Sequence, residues 1–161
     1  MITQTEALEK FHLNPETGEV WRNHKNCSKL ITAKNSKGYL VCKINNKNYL
    51  AHRIIWLMTY GSFPTDQIDH INGIKTDNRI CNLREATTSQ NKMNSSKYKN
   101  NTSGYKGVIW YQGKWCARIG INSKSIYLGC FTDLEEAAQT YKEAELKYFG
   151  EFANVVCKQC M

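Results

Sequence analysis

Short runs of alternating apolar and polar residues fill the first fifty positions, and turn-forming residues separate them. Residues 11–13 and 20–22 flank Asn14-Pro15-Glu16-Thr17-Gly18, which predicts a β-hairpin. Residues 39–44 and 47–50 flank Asn45-Asn46 in the same way. From His52 the apolar period lengthens: Ile54, Ile55, Leu57 and Met58 lie on one face of a short helix that Gly61 stops. Trp21 and Trp56 are assigned to the core. A brief apolar entry at Ile68, a polar stretch rich in Asn and Asp, and a strand over 83–86 come next. Thr87 or Thr88 then caps a helix through about Met93.

Residues 94–104 carry no apolar periodicity and read as a connector. Beyond it, strand patterns occupy 107–111, 114–119 and 125–128, with turns at Gln112-Gly113 and over 120–124. Thr132-Asp133-Leu134-Glu135 is a capping box, and Leu134, Ala137, Ala138, Tyr141, Ala144 and Tyr148 recur at helical spacing up to Gly150. The expected fold class is α+β: β-hairpins and a ββα module, then a three-stranded antiparallel sheet packed on one helix. The expected division is a first module over 1–95 with its core at 66–95, a linker over 96–103, a second module over 104–156 and a tail over 157–161.

Charge sharpens this division. The 161 residues include 22 Lys+Arg and 14 Asp+Glu, a net charge of +8. Residues 1–60 carry +5, residues 61–93 are neutral, residues 94–131 carry six bases and no acid, and the remainder carries −3. A wholly basic stretch interleaved with Tyr105, Trp110, Tyr111, Trp115 and Tyr127 suits a polyanion; a solvated basic surface over core aromatics is the bland alternative. No apolar run approaches the roughly 20 residues of a membrane span, and the first ten residues lack the apolar segment of a secretory signal. A cytoplasmic protein is expected, not a secreted one. Seven cysteines without paired spacing argue against a disulfide framework. Cys157 and Cys160 form a lone C-x-x-C, so no structural zinc is expected.

Candidate chemistry lies in the neutral block. Asp69-His70 ends a predicted strand, Asn82 precedes the returning strand and Asn91 lies on the helix after it. Phosphodiester hydrolysis needs a base near neutral pH, which His70 supplies, and hard oxygen ligands for Mg²⁺ or Mn²⁺, which Asp69 and Asn91 supply. Asn82 can hydrogen-bond and orient the imidazole. Turn-forming Asn residues around an incidental His are the alternative.

Ala51-His52-Arg53, Ile68-Asp69-His70-Ile71-Asn72-Gly73, Asp77-Asn78-Arg79-Ile80-Cys81-Asn82-Leu83-Arg84 and Gln90-Asn91 together resemble an HNH homing-type endonuclease. The resemblance implies a ββα-metal fold with His70 as general base, Asn82 as its orienter, and Asp69 with Asn91 as ligands of a divalent cation, Mg²⁺ foremost. Asn91 stands where many members carry His. A setting in a bacterial or phage-infected cell is likewise only what the resemblance implies. Lys75, Arg79 and Arg84 flank the loop as candidate phosphate contacts, with His52 and Arg53 beside them.

Ser103-Gly104-Tyr105-Lys106-Gly107-Val108, Gly113-Lys114-Trp115-Cys116-Ala117, Tyr127-Leu128-Gly129-Cys130-Phe131 and Glu135-Glu136-Ala137-Ala138 resemble an APETALA2-type (ethylene-response-factor) domain. That family's sheet lies in the DNA major groove. The resemblance implies a DNA face at Lys106, Arg118, Lys124 and Tyr127, joined by Trp110 and Tyr111. Ile109 and Tyr111 stand where the family often has Arg, so plant sequence preference does not transfer. Trp110 and Trp115 are expected to point to opposite sides of the sheet. The expected protein is a monomeric endonuclease acting on double-stranded DNA, with no membrane or small-molecule partner. A DNA-binding regulator with a relic nuclease module and an RNA-binding protein are the rivals.

Overall fold

The computed structural model describes residues 2–154 and has an α+β architecture built from small antiparallel sheets and four helices. Cys157, Cys160 and the expected tail over 157–161 lie outside those residues. One compact unit runs to Thr88 and a second begins at Ser89.

The first unit opens with a helix that the alternation pattern did not announce, α1 (Gln4–Lys10). Thr3 caps it by accepting from the Glu6 backbone N–H at 3.2 Å, and Ala7 is fully buried. The signal was Thr3-Gln4-Thr5-Glu6, a capping box. Strands β1 (Phe11–Leu13) and β2 (Val20–Asn23) form the predicted hairpin, and β3 (Ser28–Leu30) adds a third strand beside β2. Strands β4 (Val41–Ile44) and β5 (Lys47–Leu50) form the second hairpin through Asn45 and Asn46, both at positive φ. Helix α2 (Ala51–Tyr60) ends at left-handed Gly61, whose N–H donates to the Leu57 carbonyl. Strands β6 (Gln67–His70) and β7 (Leu83–Ala86) pair antiparallel around the polar loop. Phe11, Val20, Ile44, Ile54, Ile55, Leu57, Ile68 and Leu83 form the core. Trp56 is only partly buried against it, and Trp21 is likewise half-exposed.

The second unit begins within α3 (Thr88–Met93) and continues into β8 (Val108–Tyr111), β9 (Lys114–Ile121) and β10 (Lys124–Phe131), in sheet order β10-β9-β8. Helix α4 (Leu134–Phe149) is capped by Asp133, whose carboxylate accepts from the Glu136 N–H at 2.9 Å. The buried helix face is Ala137, Tyr141, Ala144, Glu145 and Phe149. Tyr148, expected on that face, is instead exposed, because the stripe through 137, 141, 145 and 149 passes one position to its side.

Cross-strand register settles the two tryptophans. Trp110 pairs directly with Trp115, so both leave the same face of the sheet, and their rings meet edge to face at 4.7 Å. They share that face with Val108, Ala117 and Ile119, which α4 covers. The expected split is therefore corrected. The other face carries Tyr111 with Lys114 and Arg118 with Tyr127 as cross-strand pairs. The same register sets Cys116 opposite Cys130, and the two are joined as a disulfide. That corrects the expectation of unpaired thiols at these positions: C-x-x-C spacing is blind to residues that meet across a hairpin. Cys42, by contrast, is a buried thiol that desolvation pushes up to about 12.

Candidate active site

His70 closes β6 and Asp69 precedes it, so their side chains leave opposite faces of the strand. Register places Asp69 directly across from Arg84 of β7. Arg84 donates to Asp69 Oδ2 from Nε (2.9 Å) and Nη2 (2.7 Å), and the carboxylate is 4% exposed. A charge-assisted pair of this kind fixes the direction of the carboxylate.

Between the strands, residues 71–82 are held by their own polar side chains. Asn82 accepts the Asn72 N–H at 3.0 Å, and its amide donates to Asn72 Oδ1 (2.9 Å) and the Asp77 carbonyl (2.8 Å). Asn72 Nδ2 donates to Asp77 Oδ2 at 2.6 Å, and Arg79 grips both Asp77 oxygens from Nε and Nη2. The Arg79 guanidinium, above all, holds the Asp77 carboxyl below the usual carboxylate range. This lattice presents Asn78, 1% exposed, to the His70 imidazole: His70 Nε2 lies 2.9 Å from Asn78 Oδ1. With a carboxamide oxygen as partner, Nε2 is the donor and Nδ1 holds the ring's lone pair.

Burial lowers the His70 pKa, and it outweighs the hydrogen bond to Asn78 and the charges of Asp69 and Asp77, which act upward. The imidazole is therefore neutral near pH 7, the form a general base requires. Around it stand Tyr39, with ring centroids 5.8 Å apart, and His52, at 5.0 Å and nearly perpendicular. Lys75 lies over the Tyr39 ring at 5.1 Å and donates from Nζ to the Lys37 carbonyl at 2.9 Å.

The expected site residues thus divide. Asp69, His70 and Asn82 meet around one loop, with Asn82 spending both amide protons on the loop itself. The direct hydrogen-bond partner on His70 Nε2 is Asn78, which spacing alone did not single out; the only signal was the density of Asn and Asp between the strands. Asn91 is half-buried on α3, in the unit that begins at Ser89. Arg53 braces the turn after α2, donating to the carbonyls of Asp66 (3.1 Å) and Pro64 (3.4 Å). His52 is buried at 4% exposure, not displayed for DNA. Lys106 faces inward: Nζ donates to Glu145 Oε1 at 2.7 Å and to the Met93 carbonyl at 2.6 Å. Trp110 sits on the sheet's α4 side, half-exposed, while Tyr111, Arg118 and Tyr127 share the open face. Lys124 is exposed at the start of β10.

A divalent cation fits the donor chemistry. The Asp69 carboxylate is a hard oxygen donor of the kind that suits a largely hydrated ion, and Arg84 orients it as an outer partner does. Among the described residues no group of three or more His, Cys, Asp or Glu is arranged to hold a metal.

His52 carries a stability prediction. Its pKa is lowered to about 3 by burial, with the nearby His70 and Arg53 acting in the same direction. Unfolded, the ring takes its proton near pH 6.5. The unfolded chain therefore binds more protons below that pH, and stability falls on acidification until about pH 3. Between pH 7 and pH 4 this one group costs about 3 kcal/mol. Urea unfolding at the two pH values should show that loss, and His52→Phe should remove it.

A family model described as HNH endonuclease matches residues 49–93. An uncharacterized HNH endonuclease of Acanthamoeba polyphaga mimivirus is 34% identical over 104 residues, 63% of this chain and 54% of that protein. Protein 3.8 of Escherichia phage T7 is 30% identical over 105 residues, 63% of this chain and 86% of that protein. An AP2-like ethylene-responsive transcription factor of Arabidopsis thaliana is 34% identical over 88 residues, 52% of this chain. The chain spans 16% of that plant factor's length. With the β6–loop–β7 geometry and these matches together, the chain belongs to the HNH endonuclease family and couples that module to a region similar to AP2-like transcription factors.

Proposed function

We propose that the protein hydrolyses phosphodiester bonds of double-stranded DNA, with His70 as general base and a divalent cation, Mg²⁺ foremost, held by Asp69 and the Asn91 that the resemblance adds. The observation that carries this reading is the buried, neutral His70 with Asn78 on Nε2, which leaves Nδ1 as the proton acceptor. Nδ1 takes the proton of the attacking water. The Asn78 oxygen then stabilises the imidazolium through Nε2–H, and the Asp69 charge favours the same form. Asn82 keeps the loop in shape. Bound at Asp69, the cation supplies positive charge against the phosphate as negative charge builds in the transition state. A supercoiled-plasmid assay tests the reading: nicking or linearisation that needs a divalent ion and stops with EDTA is expected. DNA binding without cleavage, across several ions and substrates, would sink it.

The second module, over 104–156 in this reading, supplies affinity. Tethering a DNA-contacting sheet to the nuclease raises the local concentration of substrate. Arg118, Tyr127, Tyr111 and Lys124 are the proposed contacts, with Arg118 lying over the Tyr127 ring at 6.0 Å. Replacing Arg118 by alanine should weaken binding several-fold and lower the slope of log K against log salt by about 1, the signature of one lost phosphate contact. An unchanged slope in a fluorescence-anisotropy titration would remove Arg118 from the interface. Similarity to plant transcription factors favours one second reading, a DNA-binding regulator without cleavage. The plasmid assay separates the two.

A further inference from the structure

Register sorts the open face of the β8–β9–β10 sheet, the side away from α4, into three rows. Tyr111 pairs with Lys114 in the first, Ile109 with Cys116 and Cys116 with Cys130 in the second, and Arg118 with Tyr127 in the third. The outer rows are alike. Each holds one cation beside one tyrosine, and the tyrosines are exposed at 52% and 58%. The middle row carries no charge. Cys116 is 1% exposed and joined to Cys130 as a disulfide, so Ile109, at 46%, is the side chain of this row that stands out to solvent. Residues 94–131 include no acid, so every charge on the face is positive and its electrostatic complement is a polyanion.

We propose that Ile109 reads the C5-methyl groups of thymine in the major groove of duplex DNA, with the cation–tyrosine pairs on either side reaching the backbone. The inference rests on the second module being a DNA contact. Three strands set about 4.8 Å apart span about 10 Å, which enters a major groove about 12 Å wide and not a minor groove about 6 Å wide. With Lys114 and Arg118 directed to phosphates, the middle row faces the base edges. Among the features that distinguish the four base pairs there, the thymine methyl is the apolar one; the others donate or accept hydrogen bonds. A polar base edge pressed against Ile109 loses its water and gains no partner, which weakens binding. A methyl in the same place leaves water for an apolar surface, which strengthens it. Ile109 thus selects in both directions with no hydrogen bond of its own.

The test uses the full-length protein with its disulfide intact, in EDTA and at fixed salt, against two long duplexes of one mixed sequence. One contains thymidine and the other deoxyuridine throughout, which removes every thymine methyl and keeps charge and base pairing. In competition binding the parent should favour the thymidine duplex about fourfold, the value of burying one methyl-sized group. Ile109→Ser should bring that ratio to about 1, and Ile109→Val, which keeps a branched apolar side chain, should hold the preference. Because every variant meets the same two duplexes, a difference in duplex shape cancels between them. A parental ratio of about 1 or below overturns the proposal, as does Ile109→Ser discriminating as the parent does. Should Ile109→Ser not fold, nuclear Overhauser contacts between the Ile109 and thymine methyls in the parent complex decide, and their absence overturns the proposal. The reading of this module as a DNA contact fails separately. Arg118→Ala with unchanged affinity and salt slope defeats that reading, whereas a normal Arg118→Ala loss beside equal binding of the two duplexes defeats only the role of Ile109.

Discussion

Replacing His70 by alanine should reduce plasmid cleavage by about 10²–10⁴-fold, the range in which general bases contribute, while gel-shift binding in EDTA stays within twofold. The separation follows from where the residue sits. At 4% exposure His70 offers little surface for DNA affinity, so its removal acts on the chemical step. Its pKa, lowered by burial, gives the second part of the expectation. The rate of a base that must be deprotonated rises with pH through its pKa and then levels. A lowered pKa moves that rise to more acid pH than an exposed histidine would give. Asn78→Ala should retain the protein's fold yet lose much of the rate, because it removes the acceptor that sets the tautomer. Equal cleavage by His70→Ala and the parent at saturating DNA would end the assignment of His70.

Gly18→Ala should produce the second large effect, on stability and cleavage together, from a residue outside the matched HNH segment. Gly18 closes the β1–β2 turn at φ +71°, with its N–H donating to the Asn14 carbonyl. A Cβ there would collide with the Arg79 amide nitrogen and stand 2.6 Å from the Asn78 carbonyl carbon. Those are backbone atoms of the loop that delivers Asn78 to His70, so the clash has no flexible side chain to absorb it. Left-handed strain of about 1–2 kcal/mol adds to overpacking of about 1–3 kcal/mol. The expected outcome is a Tm lower by roughly 10 °C and a kcat reduced along with it. Gly113→Ala is the control: it shares a positive φ of 78° but meets nothing within 4 Å. It should show the strain alone, a few degrees in Tm. Equal losses in the two variants would mean that the close approach of the first hairpin to the loop does not matter.

Much of this protein was legible in its residues. Turn chemistry at Asn14–Gly18 and Asn45-Asn46 located both early hairpins, because Asn and Gly adopt positive φ at less cost than most residues. The change of period after His52 located α2, and Gly61 located its end. The order of Asp69, His70 and Asn82 located the loop and the strands on each side of it. Helix α1 was legible as well, from Thr3 and Glu6, but its short apolar stripe is easily passed over.

Pairings between elements were not legible. Asp69 meets Arg84 because β6 and β7 pair in one register, and a slip of one residue would reverse the faces. Trp110 joins Trp115 and Cys116 joins Cys130 for the same reason. Lys106 belongs to a basic stretch, yet it turns to Glu145, 39 positions further on, because α4 packs there. Local sequence determines which backbone conformations are cheap, and with them the hairpins, the helices and the neutral loop between two basic blocks. Only the tertiary structure decided that Asn78 rather than Asn82 meets His70, that Gly18 supports the loop from a distant turn, and that His52 lies buried beside His70. Those choices depend on which surfaces come together when the core closes, and no periodicity along the chain encodes that.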